Sequence, residues 1–149
     1  MLFDLFRKNK QQDVINLHLN GFQQSFSEIQ KEAILQALFI IANIDGKYHK
    51  KEVKFFELAA ETLGYDLGKD YLDKLLLITP EHQFNILKNL NESQKDWFIV
   101  TIFGMFSADG TGKEVEFNTM GFILDNMGIS SERVDRVLNK YNAITSRFL

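Results

Sequence analysis

Asp45-Gly46-Lys47-Tyr48-His49-Lys50-Lys51-Glu52 returns later in the chain as Asp109-Gly110-Thr111-Gly112-Lys113-Glu114-Val115-Glu116. Each copy reads as a helix broken at Asp-Gly, an acid seven residues on, and an amphipathic helix that stops at a glycine. Asp45 and Asp109, Glu52 and Glu116, and Gly64 and Gly128 are each 64 residues apart. Phe39 and Phe103 keep the same offset, but few other residues match between 39–64 and 103–128. The matches fall at breaks and caps, where backbone geometry narrows the choice of residue. Such self-similarity predicts duplication, and two copies predict a pseudo-twofold domain rather than an open solenoid.

Working outward, each loop follows a strongly apolar helix. Ser27-Glu28-Ile29-Gln30 has the form of a capping box. Ile29, Ala33, Ile34, Ala37, Leu38, Ile41 and Ile44 then recur at helical spacing, and Phe39 and Ile40 widen the stripe. Asn91-Glu92-Ser93-Gln94 opens the matching helix, which carries Trp97, Phe98, Val100, Thr101, Ile102, Met105 and Phe106. After the loops come helices over about 49–63 and 112–127. The first buries Val53, Phe56, Ala59, Ala60 and Leu63, flanked by Phe55. The second buries Val115, Met120, Ile123, Leu124 and Met127, flanked by Phe117 and Phe122. Asp66 or Lys69 opens a short helix through Tyr71, Leu72, Leu75 and Leu76. Thr79-Pro80-Glu81 restarts a connecting helix that runs to about Leu90. Ser130 caps a last helix carrying Val134, Val137, Leu138 and Tyr141. The fold expected is a compact all-α bundle of about seven helices, in which the two apolar helices lie at the centre.

Residues 1–24 stand apart as an N-terminal extension, extended or partly ordered, before a helical domain over 25–149. Ile15, Leu17 and Leu19 alternate and predict an extended strand ending at Asn20-Gly21. It would lie on the helices or pair with a second copy of the chain. Leu2, Phe3, Leu5 and Phe6 are followed by Arg7, Lys8 and Lys10. That pattern fits an amphipathic turn on a membrane or a partner, or an end folded back on the core.

With 149 residues and 45% hydrophobic composition, the chain can bury a core without staples. It has no cysteine, which excludes disulfides, thiolate metal sites and cysteine nucleophiles, and suits the cytoplasm. A net charge of −3 argues against nucleic acid as partner. No apolar run approaches the ~20 residues of a membrane span. His18, His49 and His82 form no ligand spacing, and no phosphate loop or nucleophile elbow is present.

Asp-Gly-x5-Glu invites comparison with a calcium loop. Aligned that way, the first ligand position is Ile41 in one copy and Met105 in the other. Neither loop alone supplies the six to eight oxygens calcium takes. If the halves fold so that both loops share one end, Asp45, Glu52, Asp109 and Glu116 would converge. Four such carboxylates would hold a hard divalent cation: calcium, magnesium or manganese. A structural reading accounts for the same residues. The Asp residues suit turns beside a helix-ending glycine, the Glu residues suit first helical turns, and Thr111-x-x-Glu114 is itself a capping box.

Ile41-Ala-Asn-Ile-Asp-Gly-Lys47 with Glu52 and Leu63-Gly64, then Ser107-Ala-Asp-Gly110 with Glu116 and Met127-Gly128, resemble the tellurite-resistance TerB-like family over about residues 25–145. The resemblance implies an all-helical domain whose acids gather into a metal-associated site. It also implies a setting in stress response or beside membrane-anchored DnaJ-type co-chaperones. Under it Asp45 and Asp109 match the family Asp, and Glu52 and Glu116 the acid of the following helix. Ile44 and His49 depart from the family pattern, where Ala and a Ser or Thr cap are usual. The function expected is a non-enzymatic binding module holding a divalent cation, or alternatively a metal-free protein–protein interaction scaffold. The partner expected is a protein, with peripheral membrane contact through residues 1–10 and a homodimer left open.

Overall fold

A computed structural model describes residues 26–43, 50–107 and 114–145, and the side chains within them except at 50–52, 104–107, 114–117 and 141–145. Seven helices account for it: α1 (Glu28–Ala42), α2 (Lys50–Leu63), α3 (Tyr71–Leu76), α4 (Pro80–Lys88), α5 (Glu92–Ser107), α6 (Glu114–Asn126) and α7 (Ser131–Thr145). No strand occurs among the described residues. The expected strand at 13–21 and the rest of residues 1–24 lie outside them.

The apolar helices are central. α1 packs against α2, α3, α4, α5 and α6, while α5 packs against α1, α2, α6 and α7. Ala33, Ile34, Leu35, Ala37, Leu38 and Ile41 of α1 are fully buried, as are Trp97, Phe98, Ile99 and Ile102 of α5. A helix enclosed on several sides needs apolar residues around most of its circumference, and the wide stripes supply them.

The offset of 64 governs the backbone of the first two helices of each copy as well as the sequence. α1 starts at Glu28 and α5 at Glu92, while α2 starts at Lys50 and α6 at Glu114. Ser27 Oγ accepts from the Gln30 amide at 3.3 Å, and Gln30 Oε1 accepts from the Ser27 amide at 2.9 Å. Asn91 and Gln94 repeat this reciprocal pair at 2.8 and 2.9 Å. The helix ends match too. Gly64 and Gly128 hold φ of 70° and 74°, a left-handed conformation that a Cβ disfavours. Each donates to the carbonyl three residues back, Glu61 or Asp125, at 3.0 Å. Tyr65 and Ile129, next in line, donate to Ala60 and Leu124 at 2.9 and 3.0 Å and bury their side chains. Both ends are therefore Schellman motifs with their apolar clasp.

Several expected positions differ. Ile29 is 40% exposed, ahead of the buried stretch of α1 that begins at Glu32. Leu76 is 58% exposed, since a helix of six residues that buries Leu75 turns its next residue about 100° away. Phe55 is 2% exposed and belongs to the core rather than its flank, whereas Phe122 is 60% exposed. The first apolar helix ends at Ala42, ahead of Gly46, and the connecting helix at Lys88 rather than Leu90.

Candidate functional site

Of the four acids expected to hold a cation, Asp45 and Asp109 lie outside the described residues. Glu52 and Glu116 are each the third residue of their helix, α2 and α6. Two contacts join the segments that open α1 and α5. Gln94 Nε2 donates to Gln30 Oε1 at 3.3 Å, and the Phe26 and Trp97 rings sit 5.0 Å apart. Among the described residues no three His, Asp or Glu side chains gather as a metal site. His49 is outside the described residues, and His18 with it. His82 donates its amide to the Thr79 cap at 3.2 Å.

Two polar clusters tie each central helix to the third helix of its copy. Glu32, buried on α1, accepts from Tyr65 Oη at 2.9 Å and pairs with Lys74 Nζ at 3.2 Å. Burial first, and then the hydrogen bond and charge of Glu32, raise the Tyr65 phenol well above its ordinary value. Asp96, 64 residues beyond Glu32, receives Arg133 Nη2 at 2.9 Å. The same guanidinium donates to the Glu92 carbonyl at 3.1 Å and pairs with the Glu92 carboxylate. Burial alone would lower the Arg133 value, but Asp96 and Glu92 outweigh it and leave it raised. Every acid here is matched by a donor, so these clusters fasten helices. Sequence reasoning missed them, although applying the 64-residue offset to charged residues pairs Glu32 with Asp96.

The copies differ most beside α6. In the first copy Phe39 meets Phe56 edge-on at 6.4 Å, and Phe56 stacks on Tyr71 at 5.9 Å. These rings fill the space between α1, α2 and α3. Sixty-four residues on, Phe39 becomes Phe103 and Phe56 becomes Met120, whereas the third helices leave that offset, α3 starting at Tyr71 and α7 at Ser131. A groove of about 670 Å³ opens between α6 and α7.

The groove floor is Phe103, Met120, Leu124, Ile129 and Val134. These side chains keep 4–9% exposure, against none for Trp97, Phe98 and Ile102 behind them. Asn118, Ser131 and two carboxylates, Asp125 and Asp135, form the exposed rim. Phe122 stands on the wall, braced edge-on against Phe84 of α4 at 5.6 Å. Gly121, beside it within α6, has open space where a Cβ would be. Glycine in a helix interior costs about 1 kcal/mol against alanine, and packing within the described residues gives no reason for it. A site of this volume with an apolar floor and a few rim acids suits an apolar group carrying positive charge. The sequence signals were Gly121 and the change from Phe56 to Met120 between the copies.

Comparison of the chain with protein-family models, with curated proteins and with solved structures finds no match. Among the described residues no helix is long and apolar enough to cross a membrane.

Proposed function

We propose that this chain is a non-enzymatic protein-binding module whose α6–α7 groove takes an apolar stretch of a partner bearing lysine or arginine. The observation that carries this reading is the groove itself, about 670 Å³ with an apolar floor and edged by Asp125 and Asp135. The exposed Phe122 supplies the kind of aromatic anchor that dominates binding energy at interfaces. The expected cytoplasmic setting, in stress response or beside a membrane-anchored co-chaperone, belongs to this proposal and rests on the TerB-like resemblance.

Selection from a displayed random-peptide library against the full chain tests it. Enriched peptides should carry large apolar residues beside Lys or Arg. Their binding should fall at least tenfold in Phe122→Glu and persist in Leu77→Glu, a control at another exposed apolar residue. No enriched class, or enrichment indifferent to Phe122, would end the reading.

A second reading keeps the divalent cation. It is favoured by α2 and α6 starting 64 residues apart, which gives Glu52 and Glu116 the same helical position. Asp45 and Asp109 precede them at equal spacing. Calorimetric titration with calcium, magnesium or manganese should give heat that Asp45→Asn/Asp109→Asn abolishes. Equal heats from both proteins would remove the cation.

A further inference from the structure

Resting on the groove reading above, we infer that the partner enters the α6–α7 groove as an amphipathic helix. That helix lies along α6 over Gly121 and directs basic residues at Asp125 and Asp135.

The groove walls are helices, and no strand edge stands beside them among the described residues. Backbone groups inside α6 and α7 bond within their own helices. The start of α7 is capped, with Ser130 Oγ accepting from the Arg133 amide at 3.2 Å. An extended occupant would lay its N–H and C=O groups on Met120, Leu124 and Ile129 with nothing to receive them. A helix satisfies its own backbone and presents only side chains to such a floor.

Asn118, Gly121, Phe122 and Asp125 line the groove from α6 at helical spacing, and all four are exposed. They span about 10 Å at 1.5 Å per residue. A helix that docks through positions i, i+3 or i+4, and i+7 covers the same length between its first and last anchors. Gly121 stands in the middle of that wall, with nothing within 4 Å of where a Cβ would be. Side chains at the crossing set how closely two helices pack. The missing Cβ therefore lets a second helix come close and lay its apolar side against Phe122. Asp125 is one residue from the end of α6, and Asp135 is the fifth residue of α7. Both carboxylates thus sit near the α6–α7 turn, and neither has a cationic partner among the described residues. Charge complementarity then calls for Lys or Arg grouped at one end of the helix.

Two displayed peptide libraries of equal composition, selected against the full chain, test this. One sets large apolar residues at i, i+3, i+4 and i+7, with Lys and Arg at one end. The other alternates apolar and polar residues and carries the same basic end. The helical library should enrich, and its peptides, isotopically labelled, should show helical Cα shifts when bound. Their affinity should fall at least about tenfold with Gly121→Leu. It should also lose most of its salt dependence in Asp125→Asn/Asp135→Asn. A proline at the centre of the peptide leaves the protein untouched and should abolish binding. Phe122-dependent enrichment from the alternating library, extended shifts in the bound peptide, an unaltered salt dependence, or binding that survives the proline overturns the inference and leaves the groove reading standing. Enrichment from neither library, or binding indifferent to both Gly121→Leu and Phe122→Glu, overturns the two together.

Discussion

The Gln94 side chain donates to Gln30 Oε1 at 3.3 Å, and the two glutamines are 64 residues apart. Each already closes its own capping box, so one contact joins the start of both central helices. The contact links equivalent positions of the two copies. Replacing Gln94, which is 3% exposed, by Ala should cost about 1–2 kcal/mol, because a cap and a buried hydrogen bond are lost together. Gln30→Ala should cost less. The double mutant should recover at least ~0.5 kcal/mol of coupling in denaturant unfolding, followed by the fluorescence of buried Trp97. Additive losses would mean the contact carries no energy.

Three glycines should respond with opposite signs. Gly64→Ala and Gly128→Ala force a Cβ into left-handed backbone at φ 70° and 74°, and each should destabilise by about 1–2 kcal/mol. Gly121→Ala puts a Cβ into open space on a helix, and should stabilise by about 0.5–1 kcal/mol. Melting temperatures of the three variants check this directly. Destabilisation by Gly121→Ala would mean that α6 packs more closely there.

Tyr65 makes stability depend on alkaline pH. Its folded phenol ionises above its ordinary value of 10.0, through burial and then through Glu32. Above that ordinary value the unfolded chain releases a proton that the folded chain keeps. The contribution is therefore full below pH 10.0 and is lost as pH rises towards the folded value. Tyr65→Phe should cost about 1 kcal/mol at neutral pH. Its gap from the parent should narrow as pH rises beyond 10.0 in parallel denaturant titrations. A constant gap would contradict the assignment.

Arg133 uses its fork rather than its charge alone. It reaches Asp96, the Glu92 carboxylate and the Glu92 carbonyl together, with 15% of its side chain exposed. Lysine keeps the charge and cannot reproduce that geometry. Arg133→Lys should lose about 1 kcal/mol in chemical denaturation, and an unchanged midpoint would reduce the cluster to a surface ion pair.

Much of the fold was legible because the decisive positions are those where backbone physics leaves few options. Ser27, Gln30, Asn91 and Gln94 announce helix starts, and Gly64 and Gly128 announce helix ends. The wide apolar stripes mark α1 and α5 as central. Ile29 was misplaced because periodicity tells which face a residue shares and not how far along the helix that face is covered. The groove was less legible, because its floor residues Phe103, Met120, Leu124, Ile129 and Val134 follow the same helical periodicity as core residues. Glu52 and Glu116 matched in register, as the repeat required, but register does not fix the distance between two loops.

Amide chemical-shift mapping of a selected apolar, basic peptide on the full chain tests the central claim most directly. The account predicts perturbations concentrated at 118–125 and 129–135, abolished by Gly121→Leu. Perturbations centred on α3 near Leu76 and Leu77, or insensitive to Gly121→Leu, would contradict it.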